Sequence, residues 1–562
     1  MCRQLVFFCS LLLIASCAQI GSPAGGEFDR TPPKVSRYRP DSATVNFNSR
    51  TIEIIFDEYI QLQDLNSQLL ISPPLEFTPQ ITAKKKTLVI ELDKKEVLKP
   101  NTTYSISFGN AVKDIRESNA VENFRYIFST GSFIDSLTLS GSVQNAFDHK
   151  TEKNLLVMLY SDRSDSAIYK TLPDYFAKTN DVGAFKVNNI RQGKYRVVAL
   201  KDDNSNYKYN DEERFGFLSD QVEAGKQEDV FVYMYTEQPK NIFLKKYNQV
   251  QYGKFVFVFN KGSDSLRLSR LNKEALKDVK EFTEFSKNKD TITYWMDPVD
   301  KDSLILQVRN GARILDTLRF KLIKKENALK SSRVPFKFTL MNSQNAETFD
   351  LNKELNLVFS HPVEKINDDA KVSLKEDSVV YSKYPLIYSK STVSNETVKI
   401  TTTQKTDTKN PAALASSRNM LLKENTTYSL TVLPASFTDF FGLTNDTIKM
   451  KFRTKEEKFY GSVKLNLQVE TLNDSYLVQL LDDKENVVRQ SNVSKSETLF
   501  YDYLYPASYK LKVIFDKNAN GKWDEGNYLK KQQPEKVTYN TEAVNIRSNW
   551  DLELEWSIHE PK

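Results

Sequence analysis

The chain has 562 residues, of which 40% are hydrophobic and 12% aromatic, with 79 basic and 73 acidic side chains. This length predicts about four domains, and the composition supplies several hydrophobic cores, which excludes a disordered chain. The net charge of +6 is spread along the sequence, and the longest basic run is the lysine triplet at 84–86. The sequence therefore lacks the concentrated basic face of a nucleic-acid-binding protein.

Residues 1–16 are predicted to be a cleaved signal peptide. Arg3 supplies a positive charge, and residues 5–14 form an apolar stretch that is too short to span a bilayer. The sequence Ile14-Ala15-Ser16-Cys17 resembles the lipobox of bacterial lipoproteins. This resemblance implies cleavage before Cys17 and acylation of its sulfur and nitrogen. The alternative is an ordinary secretory signal in which this cysteine is incidental.

Cysteine usage and the residues after Cys17 bear on location. All three cysteines lie at or before this position, so cleavage would leave Cys17 alone, which fits a lipid attachment site better than a disulfide framework. Residues 17–29 form a flexible, glycine-containing tether. The lipobox resemblance implies the outer membrane, because Ala18-Gln19 lacks the Asp that retains enteric lipoproteins at the inner membrane. No acidic cluster of the kind used for surface export in Bacteroidetes follows directly, which favours the periplasmic face.

Residues 30–131 are predicted to form a β-sandwich. In three stretches every second residue is apolar, as in half-buried antiparallel strands: 52–56, 104–108 and 124–128. The sequence Asp29-Arg30-Thr31-Pro32-Pro33 spans the boundary between the tether and this range, which continues through Asp57-Glu58-Tyr59-Ile60 and closes with Phe128-Ser129-Thr130. Together these features resemble the bacterial Ig-like module first described in surface-layer proteins, and the resemblance implies an Ig-like sandwich.

Part of this module occurs twice. Residues 98–130 and 422–454 both contain Asn-Thr-Thr-Tyr-Ser near the start and Phe-x-Thr at the end, in the same register. Such a match indicates an internal duplication. Residues 329–456 are therefore interpreted as a second Ig-like domain. This copy lacks the Asp-x-x-Pro-Pro opening and carries a polar insertion around residues 401–418.

A second repeated unit follows each Ig-like copy. Residues 132–236 and 457–562 show the same order of short strands and turns, with Tyr195 matching Tyr509 and Asp202 matching Asp516 at one offset. The pattern resembles the prealbumin-like, carboxypeptidase-regulatory-like modules of exported proteins, which implies two further β-sandwiches. The duplicated unit is thus a tandem of the two module types.

Two more stretches complete the organisation. Residues 237–328 contain short alternating runs and are interpreted as one further β-sandwich of unknown family. The final strand places Trp550, Leu552, Leu554 and Trp556 on one face and acidic residues on the other. This spacing predicts a core face and a solvated face; the alternative is an aromatic surface that stacks on sugars.

Two acidic loops carry the chemistry of a hard-cation site. Oxygen-bearing side chains at loop positions one, three, five and nine, with Gly at six, follow the spacing of a calcium loop. The loop at residues 516–527 meets this pattern but has Asn527 at position twelve. The loop at residues 202–213 has Glu at position twelve but Tyr207 at position six. The alternative is a hairpin whose Asp and Asn side chains bond their own backbone. The candidate ligands of a weak calcium site are Asp516, Asn518, Asn520 and Asp524, and Asp202, Asn204, Asn206, Asn210 and Glu213.

Catalysis has little support in the sequence. His149, His361 and His559 fall in a turn, beside a proline and in the terminal tail, and are interpreted as solvated. No nucleophile elbow, zinc-protease motif or phosphate-binding glycine loop is present. A glycosidase needs only two carboxylates, and Asp57-Glu58 is the best acidic pair, but its counterpart in the second copy is Ser360-His361. The protein is therefore predicted not to be an enzyme.

The sequence predicts an all-β, elongated string of five β-sandwich modules, anchored at the outer membrane by a lipid on Cys17. The predicted role is a non-catalytic scaffold or accessory subunit of an outer-membrane protein complex in a Bacteroidetes-like envelope, because Ig-like modules supply rigid length without a catalytic pocket. The expected partners are envelope proteins such as outer-membrane barrels, with no nucleic acid and no resident cofactor. Two alternatives stay open: a surface-exposed glycan-binding lipoprotein, and accessory modules of an envelope hydrolase.

Overall fold

The computed structural model describes residues 28–226, 229–251, 253–272, 279–297, 303–322, 338–340, 348–367, 372–377, 379–380, 386–390, 396–402, 422–470 and 475–560. The fold is all-β, as predicted: strands dominate, and the helices of the described residues are single turns. No helix in this part of the chain has the length and hydropathy of a membrane span. The predicted signal peptide, Cys17 and most of the tether lie outside the described residues.

The chain forms two compact units. Among the described residues, one unit contains those between 28 and 144 together with those between 150 and 234, and the other contains 145–149 together with those between 235 and 560. Five hydrophobic clusters of the described residues each draw their members from one of the five predicted module ranges. The module boundaries themselves stay predictions.

The first Ig-like range builds two sheets around one hydrophobic core. Alternate residues of its strands are buried, including Ile52, Ile54 and Phe56, as the sequence alternation predicts. The sheet orders are β1-β2-β6-β5 and β4-β7-β9, with β3 pairing β8. The elements are β1 (Val35–Arg39), β2 (Thr51–Phe56), β3 (Ile60–Leu62), α1 (Leu65–Gln68), β4 (Leu70–Ser72), β5 (Gln80–Lys84), β6 (Thr87–Glu91), β7 (Thr103–Gly109), β8 (Val112–Asp114) and β9 (Phe124–Ser129).

The module that follows forms a single eight-stranded sheet in the order β12-β11-β14-β15-β17-β10-β13, with β16 also pairing β14. Strand β11 is buried along its whole length, whereas β13 and β17 bury alternate residues over much of theirs. The elements are β10 (Leu137–Asn145), β11 (Leu156–Tyr160), α2 (Ala167–Lys170), β12 (Tyr175–Lys178), β13 (Ala184–Ile190), β14 (Lys194–Leu200), β15 (Arg214–Phe217), β16 (Val222–Glu223) and β17 (Asp229–Thr236).

The second unit begins with the module whose family the sequence does not identify. It is a two-sheet β structure, as predicted, with sheet orders β18-β19-β22-β21 and β20-β23-β24 around a core rich in Phe and Leu. The strands are β18 (Leu244–Gln251), β19 (Lys254–Phe259), β20 (Leu266–Arg270), β21 (Glu281–Phe285), β22 (Thr291–Met296), β23 (Ser303–Asn310) and β24 (Arg313–Lys321).

The predicted second Ig-like copy, residues 329–456, forms sheets β25-β27-β32-β31 and β26-β35-β33-β29-β30 from its described strands, with β28 pairing β34. Most of the predicted polar insertion lies outside the described residues. The strands are β25 (Phe338–Leu340), β26 (Thr348–Phe349), β27 (Leu355–Phe359), β28 (Val363–Ile366), β29 (Val372–Glu376), β30 (Val379–Val380), β31 (Leu386–Lys390), β32 (Thr397–Thr402), β33 (Thr427–Val432), β34 (Phe437–Asp439) and β35 (Ile448–Thr454).

The duplicated Asn-Thr-Thr-Tyr-Ser motif has the same structural role in both copies. The Tyr104 hydroxyl accepts the Lys99 N–H at 2.8 Å, and the Tyr428 hydroxyl accepts the Lys423 N–H at 2.8 Å. In each copy the threonine at the end of the repeat donates its hydroxyl to the carbonyl of that copy's lysine: Thr130 to Lys99 at 2.7 Å and Thr454 to Lys423 at 2.5 Å. The repeated residues therefore fasten the loop before the Tyr strand to the end of the last strand.

The final module has two separate sheets in the orders β39-β36-β43 and β38-β37-β40-β41, with β42 pairing β40. The β43 residues Leu552, Leu554 and Trp556 pack partly buried against the core, as the amphipathic pattern predicts. A 3-10 turn at Glu457–Phe459 precedes the strands, which are β36 (Gly461–Val469), β37 (Tyr476–Leu481), β38 (Val487–Val493), β39 (Glu497–Leu504), β40 (Ser508–Phe515), β41 (Val537–Tyr539), β42 (Val544–Asn545) and β43 (Asp551–Ile558).

The two ranges predicted to be prealbumin-like, 132–236 and 457–562, share their strand register but differ in how their sheets are joined. Strand β14 pairs β15 and β16 as β40 pairs β41 and β42, with Ala199 opposite Gly216 in the first range and Val513 opposite Thr538 in the second. In the first range β15 also pairs β17, which joins the strands into one sheet. In the second, β41 pairs only β40 among the described strands, and β43 is left at an edge.

Candidate functional site

The predicted C-terminal cation loop follows β40 and is closed by its own hydrogen bonds. Asp516 is 1% exposed, and its carboxylate accepts the N–H groups of Asn520 at 3.0 Å and Gly521 at 2.9 Å. Gly521 has a φ of +79°, the left-handed conformation that glycine adopts without strain. Asn518 Oδ1 also accepts the Asn520 N–H, at 3.1 Å.

The loop after β14 repeats this arrangement. Asp202 accepts the N–H groups of Asn206 at 3.1 Å and Tyr207 at 2.8 Å. Asn204 Oδ1 accepts the Asn206 N–H at 3.1 Å, as its counterpart does in the other loop. Tyr207 takes a φ of +59°, so loop position six is left-handed even where the sequence has no glycine. The backbone path of the loop is therefore set by the Asp and Asn acceptors rather than by glycine alone.

A carboxylate bridges the two ends of each loop. Glu213, at position twelve of the first loop, accepts the Asp203 N–H at 3.2 Å and the Asn210 N–H at 2.9 Å. In the second loop Glu535 accepts the equivalent N–H groups of Lys517 at 2.9 Å and Asp524 at 3.0 Å.

Spacing along the sequence predicts Asn527 at position twelve of the second loop. It does not identify Glu535, the carboxylate that bridges the ends of this loop. The structure instead places Asn527 in a bridge with Gln532. The carboxylate that replaces it comes from beyond that bridge, and no fixed spacing from Asp516 could have identified it.

The electrostatics of the second loop follow from its packing. Burial raises the pKa of Glu535, its two backbone N–H donors oppose this shift, and the carboxylates of Asp524 and Asp516 reinforce it. Asn520 Nδ2 donates to Asp524 Oδ2 at 2.6 Å, and Asn518 donates to the same oxygen. Within the described residues, no group of three or more His, Cys, Asp or Glu side chains is placed to hold a metal ion. These bonds are those of a self-closed hairpin, and calcium binding stays a prediction.

The candidate acidic pair Asp57-Glu58 lies just after β2. Asp57 Oδ1 accepts the Lys34 N–H at 2.8 Å, which fastens the entry of β1. Burial, followed by the neighbouring carboxylates of Asp114 and Asp57, raises the pKa of Glu58. The bond to Lys34 gives Asp57 a structural role.

The interpretation of His361 as a solvated histidine is wrong. Its side chain is buried, and its Nδ1 lies 2.7 Å from Oδ2 of the fully buried Asp439. Asp439 Oδ1 accepts the N–H groups of Phe441 at 2.9 Å and Leu443 at 2.7 Å. The pair therefore fixes the turn after β34. The β28–β34 pairing brings the two residues together, and no local sequence pattern predicts this contact.

This turn is part of a packed junction within the second unit. Phe282 contacts Phe440 with ring centres 4.9 Å apart, and His361 meets Phe441 edge-on at 5.1 Å. Lys254 lies 4.7 Å from the centre of the fully buried Trp295 ring and pairs with Glu396 at 2.8 Å. Aromatic packing and charge pairing thus join the module at 237–328 to the second Ig-like copy.

A buried polar network forms the next junction. Asp350, which is 4% exposed, accepts the hydroxyls of Tyr460 at 2.8 Å and Tyr505 at 2.6 Å. Lys455 Nζ lies 3.1 Å from the same oxygen. Burial and the bond to Asp350 raise the pKa of both tyrosines. This network connects the second Ig-like copy to the final module.

An open groove with a volume of about 530 Å³ lies beside this network. Trp550, at 42% exposure, and Tyr503 contribute its aromatic surface. Asp502, Asp551 and Glu457 contribute carboxylates. Burial raises the pKa of Asp502, with Arg489 opposing and Asp551 reinforcing the shift. Trp550 was predicted on the core face of the last strand, but it lies just before β43 and lines this groove.

Several solved structures are similar to this chain at low identity. The major pilin subunit BcpA of Bacillus cereus is 8% identical, with a TM-score of 0.14, over 76% of this chain and 100% of the pilin. The Bacillus anthracis TIE protein is 9% identical, with a TM-score of 0.14, over 100% of this chain and 79% of that protein. The S-layer protein rSbsC(31-844) is 11% identical, with a TM-score of 0.13, over 92% of this chain and 67% of that one. At these TM-scores the similarities support no argument about function.

Sequence comparison is more specific for one module. No match to the chain was found among the curated proteins. The segment that builds β1–β9, residues 29–130, matches the family model of the bacterial Ig-like domain.

Proposed function

We propose that this protein is a non-catalytic, lipid-anchored scaffold or accessory subunit of a protein complex at the outer membrane. The observation that carries the proposal is the junction at Asp350, whose carboxylate contacts Lys455 at the end of its own module and two tyrosines, Tyr460 and Tyr505, of the next module. Such a buried network resists independent movement, because separating the modules would leave its polar groups without partners. Modules connected in this way present partner surfaces at fixed spacing.

The chemistry of the described carboxylates supports a structural role. Asp57 and Asp114 accept backbone N–H groups near β2 and β8, and Asp516 does the same in its loop. The Ig-like match of residues 29–130 agrees with a cell-envelope role, because modules of this type supply surface without needing a catalytic pocket. The anchor is proposed at Cys17, and the periplasmic face is proposed over the cell surface.

A second candidate function is glycan binding at the cell surface, and the groove beside Trp550 favours it. An exposed indole, a phenol and several carboxylates supply a stacking surface and hydrogen-bond acceptors, the combination a sugar ring requires. A third candidate function is that of accessory modules of an envelope hydrolase. The same groove would bind the glycan, and a separate partner enzyme would be required.

Two measurements on growing cells test these proposals. A fatty-acid probe should label the wild-type chain and leave a Cys17→Ser variant unlabelled; an unlabelled wild-type chain would remove the anchor. Protease added to intact cells should leave the scaffold uncut, whereas complete digestion would favour the surface glycan-binding function. Binding to a glycan array that Trp550→Ala abolishes would support that second function directly.

A further inference from the structure

Strand β43 has one free edge. Its only described neighbour is β36, to which it runs parallel from Asp551 opposite Ser462 to Ile558 opposite Val469. The Ser462 N–H donates to the Trp550 carbonyl at 3.0 Å. In a parallel pair the residues that bond one neighbour alternate with residues whose N–H and C=O point the other way. Asp551, Glu553, Glu555 and Ser557 therefore direct their backbone groups outward.

The first tandem shows what closes such an edge. Its equivalent strand, β17, pairs on the outer side with β15. A Cβ atom on Gly216 would lie 2.3 Å from the Tyr233 carbonyl oxygen, so this contact requires glycine. At the matching position β41 has Thr538, which cannot approach a neighbouring backbone so closely. The second tandem thus contains the equivalent strand, β43, but not the glycine contact that accompanies the covering of β17 by β15.

The side chains at the edge define what could pair there. On the solvent face Asp551, Glu553 and Glu555 are exposed. Lys464 neutralises Glu553 at 2.8 Å, and Ser462 bonds Asp551, which leaves the edge with an excess of negative charge. On the opposite face Leu552, Leu554 and Trp556 are only partly buried. An added strand with basic residues on one face and apolar residues on the other would match both.

We propose that the outer edge of β43 is a strand-addition site for an extended, alternately basic and apolar segment of a partner envelope protein. The inference rests on the proposed scaffold function and specifies the chemistry of the partner segment that the scaffold would bind. Backbone hydrogen bonds along the edge provide the affinity, and the alternating side chains provide the selectivity. A bound segment extends the β39-β36-β43 sheet by one strand and covers the partly exposed Leu552, Leu554 and Trp556.

A second copy of this chain is a poor occupant of the same edge. Two β43 strands pairing antiparallel would place Glu553 and Glu555 of one copy close to the same carboxylates of the other. Like charges directly opposite each other in a sheet are destabilising. The charge of the edge therefore selects a basic partner against self-association.

The test uses the full chain and three synthetic peptides about as long as β43, which has 8 residues. One alternates lysine and valine, one replaces lysine with glutamate, and one is the lysine peptide with alternate backbone nitrogens methylated. The lysine peptide should bind saturably in calorimetric titration. The glutamate and methylated peptides should each bind at least about tenfold more weakly, because they lose charge complementarity or backbone donors.

Variants at Glu555 locate the site. Glu555→Pro removes an outward N–H without taking a bond from β36, a substitution that edge strands accept, and it should weaken the lysine peptide by about tenfold. The matched Glu555→Gln keeps the N–H and should weaken it only by about threefold. Equal loss in both variants would point to charge attraction alone and would overturn strand addition.

Three other results would also overturn the inference. They are no saturable binding of the lysine peptide, undiminished binding of the methylated peptide, and a stable dimer that Glu555→Pro dissociates. The first would mean that the acidic residues only keep the edge soluble. If the peptides fail while the chain still co-purifies with an envelope protein, the edge inference falls and the scaffold function stands. If the peptides bind as expected but no envelope partner co-purifies, the scaffold function falls alone.

Discussion

Gly216 lies so close to Tyr233 that a Cβ atom at this glycine would be 2.3 Å from the tyrosine carbonyl oxygen. The contact accompanies the pairing of β15 with β17, which joins the strands of residues 132–236 in one sheet. The corresponding strands of the last module are not paired. Gly216 and Thr538 thus occupy matching register positions in two ranges that differ in this strand pairing.

Gly216→Ala should lower the free energy of unfolding of the first unit by about 1–3 kcal/mol, because the new methyl group forces two backbones apart. The amides of β15 and β17 should also exchange faster with deuterium. Gly193→Ala is the matched control, since the nearest atom to its Cβ is the Tyr195 hydroxyl at 3.4 Å. Equal stability of the two variants in urea unfolding would contradict this account of the sheet.

Tyr104 gives the first unit a measurable response to alkaline pH. Burial raises the pKa of its phenol from 10.0 to about 12. Below pH 10 the phenol is protonated in both states, and between pH 10 and 12 only the unfolded chain loses the proton, so folded stability falls over this window.

Tyr104→Phe should cost about 1 kcal/mol at neutral pH, since the Lys99 N–H loses its acceptor. It should also remove part of the alkaline loss, so that wild type and variant converge between pH 10 and 12. Tyr59→Phe, at a side chain with 54% exposure, is the control. Parallel stability curves for wild type and Tyr104→Phe up to pH 12 would show that the phenol does not titrate in this way.

Asp516→Ala separates the two interpretations of the acidic loops. The carboxylate closes its loop through two backbone N–H groups, so the variant should lose about 2 kcal/mol of stability even with a chelator present. Asp483→Ala, at an exposed turn of the same module, should be neutral. A loss that appears only when calcium is added would instead establish the predicted calcium site, and titration of the full chain with calcium at millimolar concentration provides the direct check.

Asp350→Ala should disconnect the final module from the second Ig-like copy. Removing the carboxylate leaves the hydroxyls of Tyr460 and Tyr505 and the Lys455 ammonium without their shared partner, at a cost of about 3 kcal/mol. Differential scanning calorimetry should then resolve a separate, earlier transition for the last module. A single unshifted transition would mean that the polar network does not couple the modules. The exposed Asp483→Ala variant again serves as the control.

Local patterns predicted the fold well. The alternation at Ile52, Ile54 and Phe56 identifies a strand that is buried on one face, because side-chain direction in a strand has a period of two. The repeated Tyr104 and Tyr428 motif identified the duplication, since the same loop closure requires the same residues in both copies. Both signals lie within one short stretch of sequence.

Contacts between distant residues could not be predicted from the sequence in the same way. Glu535 takes the place of Glu213 from a different position in its loop, and His361 reaches Asp439 only through the pairing of β28 with β34. The account of the free edge of β43 compares Gly216 with Thr538. These two residues can be matched only when the registers of β15 and β41 are known. Each of these features is set by tertiary placement rather than by spacing along the chain.

The most direct measurement is affinity purification of the full chain from gently solubilised envelopes, with identification of the proteins recovered. The proposed scaffold function predicts recovery from the membrane fraction together with a stoichiometric envelope protein. Recovery of the chain alone, from the soluble fraction, would contradict it.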